Sequence, residues 1–283
     1  MKQHRGWIAL DIDGTITDKS HSVPQSVIDY LRHLYTDGWQ IMFITGRAFS
    51  FGYATLKIFD FPYFLAVQNG ADILQMPDRR SVSRYYLDAQ TIQTIEQLYV
   101  DEKEDFIIYT GVDRGDFCYY RPNRFSPGLL AHLHKIMPLS REPWRAVDDF
   151  HFAPHEKFPL VKCLGFKQPM ERMCENLNTI PHLVSTLIRD PLDADQIYLN
   201  LVTHEQATKG KALLHAIKEF GERGVVIAAG DDSNDLPMLE VADFKIIMET
   251  APKSMHSLAN LIAPTADRGG IVPALQEAIR LCL

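Results

Sequence analysis

Trp7-Ile8-Ala9-Leu10-Asp11-Ile12-Asp13-Gly14-Thr15-Ile16-Thr17 is the stretch that decides the fold. Four apolar residues run without polar alternation into two carboxylates spaced by one residue, then a glycine and a hydroxyl. Such a run predicts a short strand buried on both faces, as in a parallel sheet. Ligands of these sheets bind beyond the carboxyl ends of the strands, where Asp11 falls. An extended chain turns Asp11 and Asp13 the same way, and Gly14 lets the backbone turn sharply after them. Two acids held so close repel, so a cation must join them or one must keep its proton. Mg²⁺ with a phosphate group meets both needs. By itself, Asp-x-Asp-Gly is equally a strand ending in an acidic turn, and the context has to decide.

Three more apolar runs end in polar sets. Ile41–Ile44 leads into Thr45-Gly46-Arg47, Phe64–Val67 into Gln68-Asn69-Gly70-Ala71, and Val225–Ala229 into Gly230-Asp231-Asp232-Ser233-Asn234-Asp235. Between the second and third of these, Thr208-Lys209-Gly210-Lys211 opens a helix. The ordered set resembles the four motifs of the haloacid dehalogenase-like (HAD) phosphohydrolases. It looks most like the Cof-type subgroup, whose relatives include sucrose-phosphate phosphatases and phosphomannomutases. The resemblance covers residues 5–75 and 205–283, and the middle only in its pattern of elements.

The resemblance implies an α/β fold, with a doubly wound parallel-sheet (Rossmannoid) core and an inserted α+β cap. The core is expected over residues 1–80 and 205–283, the cap over 81–204. The implied activity is Mg²⁺-dependent hydrolysis of phosphomonoesters through an aspartyl-phosphate, with Asp11 as nucleophile. Asp13 is the expected general acid and base. Mg²⁺ is expected on Asp11, the Asp13 backbone carbonyl and Asp231, with Asp235 behind them orienting ligands or Lys209. Thr45, the Gly46 amide, Lys209 and Asn234 are the expected phosphate holders. Lys209 at a helix start opposes the helix dipole, a small cost that a bound phosphate would explain. Lys211 lies about 200° away around the helix, towards solvent. Arg47 reads better as a structural ion pair, and Asp231 could instead belong to a helix N-cap cluster. One departure stands out: Met248-Glu249-Thr250-Ala251 replaces the Met-Gly-Asn-Ala usual after the fifth strand, bringing a carboxylate near the phosphate side.

Composition fits an ordinary soluble globular protein. Of 283 residues, 46% are hydrophobic and 23% charged, enough for a large core or two modest ones. A net charge of −7 without a basic block argues against nucleic acid, and an anionic substrate needs local cations to reverse that field. Cys118, Cys163, Cys174 and Cys282 show no metal or disulfide spacing, and no histidine has ligand spacing. No apolar leader precedes the first strand and no run approaches the ~20 residues of a membrane span, so a cytoplasmic location is expected. The oligomeric state is not legible.

Helical periodicity places a helix after Pro24 capped by Ser22, others over 49–58, Lys209–Phe220, 234–241 and 272–281, and a strand at Phe244–Met248. In the middle, helices are expected over 88–99, 127–137 and 169–178. Strands are expected over 106–109, 117–120, 161–166, 183–188 and 197–202, with an antiparallel hairpin across Gly111–Gly115. Pro77–Ser81 and Thr203–Gln206 are the expected hinges. Tyr119, Tyr120, Arg121 and Arg124 are candidate substrate contacts, although such residues more often pack or pair on a surface. A phosphohexomutase would need a second phosphate site, for which Arg114, Arg121 and Arg124 form a basic cluster. A catalytically silent metabolite-binding protein is the alternative outside enzymes. The expected partner is a small phosphorylated metabolite.

Overall fold

The computed structural model describes residues 4–17, 22–190 and 196–283. The chain opens with β1 (Gly6–Leu10), α1 (Gln25–Thr36), β2 (Trp39–Ile44), α2 (Phe49–Leu56) and β3 (Tyr63–Val67). A hairpin follows, β4 (Asp72–Met76) and β5 (Arg80–Arg84). Next come β6 (Leu87–Asp88), α3 (Ala89–Leu98), β7 (Phe106–Tyr109), β8 (Cys118–Tyr120), α4 (Pro127–Ser140) and β9 (Trp144–Ala146). The same inserted segment continues through β10 (Lys157–Phe158), β11 (Leu160–Phe166), α5 (Lys167–Leu177), β12 (Leu183–Arg189) and β13 (Ile197–His204). The chain then returns through α6 (Lys209–Phe220), β14 (Val225–Gly230), α7 (Leu236–Val241), β15 (Phe244–Met248), α8 (Lys253–His256), β16 (Leu261–Ala263) and α9 (Ile271–Cys282).

The first sheet has eight strands in the order β16-β15-β14-β1-β2-β3-β4-β5. From β16 to β3 all neighbours are parallel, and β4 and β5 add antiparallel edge strands. The apolar runs do not alternate because both faces are covered. Ile8, Leu10, Ile41 and Phe43 pack in one core with residues of α1 and α9; Trp7, Ala9, Met42 and Ile44 pack in the other with residues of α6 and α7. β1 lies between β14 and β2, so its carboxyl end sits where the connections leave in opposite directions. That puts Asp11 at the switch point.

The inserted segment forms a second sheet, β12-β13-β11-β7-β8-β9, and a small β10-β6 pair. The β7–β8 hairpin is antiparallel, as the sequence predicts. One face of this sheet packs against α3 and α5, with Phe106, Ile108, Val161 and Cys163 in the core between them. The other carries Tyr109, Leu164, Leu199 and Leu201, partly under α4.

Four expectations need correction. The first sheet does not stop before residue 80: β5 runs to Arg84, and Tyr85 still donates to the Ala71 carbonyl at 2.9 Å. Pro77–Ser81 is therefore mostly the turn and start of a hairpin, not a hinge. The hairpin is hard to read because its register shifts between Ile73 and Leu74 and because β5 is a polar, half-exposed edge. Ser22 does not cap α1, since Pro24 occupies the N-cap position without a side-chain bond. Helix 234–241 is a 3₁₀ turn, Ser233–Asp235, followed by α7.

The two sheets are tied at α2. Its N-cap, Ala48, offers no side-chain acceptor. Asp116, from the loop before β8, takes the part instead, accepting from the Phe49 amide at 3.2 Å and the Ser50 amide at 2.5 Å. An N-cap acceptor is worth about 1 kcal/mol. Asp116→Ala should lower stability by about 1–2 kcal/mol in urea unfolding, with Asp116→Asn losing less. No change in the unfolding midpoint would show that Asp116 carries no such load.

Candidate active site

Four backbone segments converge at the carboxyl ends of β1, β2, β3 and β14. Asp11 follows β1, and its amide donates to Ala229 of β14 at 3.0 Å. Gly14 turns the chain back with φ +73°, and a β-carbon there would lie 2.2 Å from Asp231 Oδ2. Glycine is thus required twice, by the backbone angle and by the neighbouring carboxylate.

Lys209, the first residue of α6, is only 1% exposed. Its Nζ donates to Asp11 Oδ1 and Asp235 Oδ1, both at 2.5 Å. Burial alone would lower the lysine pKa, but the two carboxylates hold it above its usual value. The second oxygen of Asp235 accepts from the Asp231 and Asp232 amides at 2.9 and 3.0 Å. The close approach needs small residues: a β-carbon on Gly230 would lie 2.4 Å from Asp235, and one on Gly210 2.1 Å from the Pro237 carbonyl. Lys211 points elsewhere, to the Glu205 carbonyl at 2.9 Å.

Carboxylate oxygens of Asp11, Asp231 and Asp235 all lie within 4.8 Å of one another. Burial pushes the Asp11 carboxyl up to about 7, against the pull of Lys209. Burial, then repulsion from Asp11 and Asp235, raises Asp231 well above the ordinary carboxylate range. An N-cap role accounts for Asp232 and Asp235, which form a capping box, but not for Asp231. A small divalent cation would relieve this crowding, and an all-oxygen donor set suits a hard ion.

Around the triangle lie groups able to hold an anion. Thr45 is buried, and its Oγ1 accepts from the Arg47 amide at 3.1 Å. Asn234 Nδ2 donates to Asn69 Oδ1 at 3.1 Å, and Asn69 adopts the left-handed conformation at φ 58°. Asn69 thereby positions Asn234; the Gln-Asn-Gly string was visible in sequence, but nothing in it spelled out that partner. Arg47 does form an ion pair, and its partner is Asp13. The guanidinium takes both oxygens, Nε to Oδ2 at 2.7 Å and Nη2 to Oδ1, while Nη1 reaches Thr55 at 2.7 Å. The two opening acids therefore have separate cations.

Asp11, Asp13, Thr45, Arg47, Asp231 and Asn234 border a cavity of about 530 Å³ whose far wall is the second sheet. The expected cap contacts are not in that wall. Arg121 is buried in ion pairs with Asp105, Glu96 and Asp149 and lies 4.0 Å from the centre of the Phe150 ring. Arg124 donates to the Tyr99 carbonyl, and Tyr120 packs edge-on to Trp144. Neither Tyr119, Tyr120, Arg121 nor Arg124 lines the cavity. The wall contains Tyr109, Glu142, Lys162, Leu164, Leu199 and Leu201 instead. Glu249 also lies off the cavity, accepting from Arg268 at 3.2 Å and from the Thr265 amide at 3.3 Å, so it adds no charge there; Thr250 does line it.

Comparison with known proteins gives one consistent picture. The profile of the haloacid dehalogenase-like hydrolase family matches residues 8–275. "Putative phosphatase YxeH" of Bacillus subtilis is 23% identical over 280 residues, 96% of this chain and 97% of that protein. A haloacid dehalogenase-like hydrolase from B. subtilis superposes with a TM-score of 0.76 at 22% identity, over 94% of this chain and 97% of its own. The HAD subclass IIB sugar phosphatase BT4131 superposes with a TM-score of 0.73 at 18% identity, over 96% and 98% of the two chains.

The clash at Gly14 generates a prediction independent of turnover. Gly14→Ala should displace the Asp231 carboxylate and weaken divalent-ion binding at least tenfold by calorimetry. Unchanged affinity would remove Asp231 from the ion site.

Proposed function

This chain belongs to the haloacid dehalogenase-like hydrolase family, and on that premise we propose that it is a Mg²⁺-dependent phosphomonoester phosphatase acting on a small phosphorylated metabolite, with sugar phosphates the first class to consider. The observation that carries the reading is the buried triangle of Asp11, Asp231 and Asp235, with Lys209 bonded to two of its corners, beside the cavity. The phosphatase names of full-length relatives such as YxeH support the same chemistry.

Asp11, Asp231 and the Asp13 carbonyl would hold the ion, because both oxygens of Asp235 are already engaged by Lys209 and two amides. Bound there, Mg²⁺ would screen the nucleophile from the phosphate's own charge. Lys209 favours the carboxylate form of Asp11 against burial, which pushes it up. Asp11 attacks phosphorus, the bond to the leaving oxygen breaks, and that oxygen takes a proton from Asp13. Asp13 then accepts a proton from water as the water attacks phosphorus, releasing phosphate and restoring Asp11. Thr45, Gly46 and Asn234 hold the oxygens of the phosphoryl group. Arg47 binds both oxygens of Asp13 and so fixes the orientation of its carboxyl.

The basic cluster offered for the mutase reading is engaged away from the cavity. Arg114 pairs with Glu156, Arg121 is buried among three acids, and Arg124 bonds a carbonyl. A silent binding protein has no evident use for a lysine buried between two carboxylates.

Chelation should abolish activity and Mg²⁺ restore it, with Ca²⁺ a poor substitute because it tolerates looser, higher coordination. Full turnover after exhaustive chelation would end the metal proposal. Asp13→Asn should bind Mg²⁺ normally and keep an initial burst of p-nitrophenol, since that leaving group hardly needs a proton. It should then stall, and lose about 10²–10⁴-fold on sugar phosphates. Equal loss of both bursts would take the proton-carrier role from Asp13.

A further inference from the structure

The cavity wall opposite the carboxylates has a chemical pattern of its own. Strand register sets Leu164, Leu199 and Ile188 in one row across β11, β13 and β12, and Lys162 opposite Leu201 in the next. All five line the cavity. Residues two apart on a strand share a face, so this surface is a largely apolar plate. A β-carbon on Gly46 would lie 3.2 Å from Leu201 Cδ1, so the plate comes down directly over the phosphate loop.

Against this plate, apart from Arg189 and Asp190 at the end of β12, stand Glu142 and Lys162. Glu142, between α4 and β9, lines the cavity and is only 5% exposed. Its Oε1 accepts from the Tyr109 hydroxyl at 3.3 Å, and its Oε2 has no hydrogen-bond partner. A buried carboxylate oxygen without a donor is costly, and native sites of this kind are usually completed by something bound. Lys162 Nζ lies 4.9 Å from the centre of the Tyr109 ring and forms no ion pair among the described residues. The wall therefore offers the Glu142 acceptor and the Lys162 donor on either side of a tyrosine, facing the leucines, with Ser140, Arg189 and Asp190 elsewhere in the lining.

Resting on the phosphatase reading above, we propose that Glu142 and Lys162, with Tyr109 between them, form a specificity subsite for the leaving group. The substrate class is a phosphomonoester with a flat or apolar body whose distal end carries a hydrogen-bond donor beside an acceptor. Glu142 Oε2 takes the donor and the Lys162 ammonium the acceptor. This narrows the phosphomonoester class named above away from bare hexose phosphates, whose hydroxyls would lose water against Leu164, Leu199 and Leu201 without replacement. A flat body loses nothing there.

The test uses the full chain with Mg²⁺ and four probes. Phenyl phosphate has the flat body alone, glucose 6-phosphate has hydroxyls all round, and 4-carbamoylphenyl and 4-(2-carbamoylethyl)phenyl phosphate add an amide at two distances. The wild-type enzyme should show at least a tenfold lower KM for one of the amide probes than for phenyl phosphate, and glucose 6-phosphate should rank below both. Glu142→Gln, which keeps an acceptor for Tyr109, and Lys162→Met, which keeps the aliphatic stem, should each erase most of that KM advantage. Both should leave kcat/KM for phenyl phosphate within about twofold, with melting temperatures near wild type. Equal losses on every probe, or an amide preference that survives both substitutions, would overturn the subsite. A best KM for glucose 6-phosphate would overturn it too. Wild-type enzyme inert on all four would instead sink the phosphatase reading on which the subsite rests.

Discussion

A lysine ammonium buried between two carboxylates is the constraint from which the rest of this structure follows. Lys209 has no access to water worth the name, and neither Asp235 nor Asp11 has much. Such a cluster persists only if each charge is matched and hydrogen-bonded, since a lone buried ion is far more costly than the pair. The matching fixes several things together. α6 must start at the ends of β1 and β14, Gly210 and Gly230 must lack side chains, and Asp235 must reach back to the amides that follow β14. What remains after Lys209 is satisfied is a surplus of negative charge on Asp11 and Asp231. That surplus is the feature a divalent ion would answer.

The two carboxylates of the opening motif look equivalent in sequence and are made different by their surroundings. Asp11 faces a buried lysine and shares space with two other acids, while Asp13 is gripped through both oxygens by Arg47. Asp11 thus sits where burial pushes its carboxyl up and Lys209 pulls it down, the setting of the proposed nucleophile. Asp13 has its orientation fixed by an arginine, the setting of the proposed proton carrier. Environment divides the labour, as it commonly does where paired acids perform different steps.

The core was legible because its physics is local. Apolar runs with no alternation mark strands covered on both faces, and each ends in the polar residues that the switch point collects. Helix α6 could be bounded to the residue, because Lys209 opens it and Gly221 ends it at φ 92°. The β4–β5 hairpin was hidden, since a register shift and a polar edge strand erase the period-two signal. The cavity wall was hidden for a different reason. Tyr109, Glu142, Lys162 and Leu201 are brought together by strand order, not by proximity in sequence, so no local pattern announces them. Tyr120 and Arg121 carried the attractive side chains but were turned into packing and ion pairs.

The central claim is that Asp11 becomes phosphorylated during turnover. Its most direct measurement is rapid acid quench of the working enzyme, followed by peptide mass spectrometry under conditions that preserve acyl phosphates. A phosphoryl group should appear on Asp11 within the first turnover and decay as phosphate is released. Phosphate found on another residue, or none on Asp11 while substrate is being consumed, would contradict the claim.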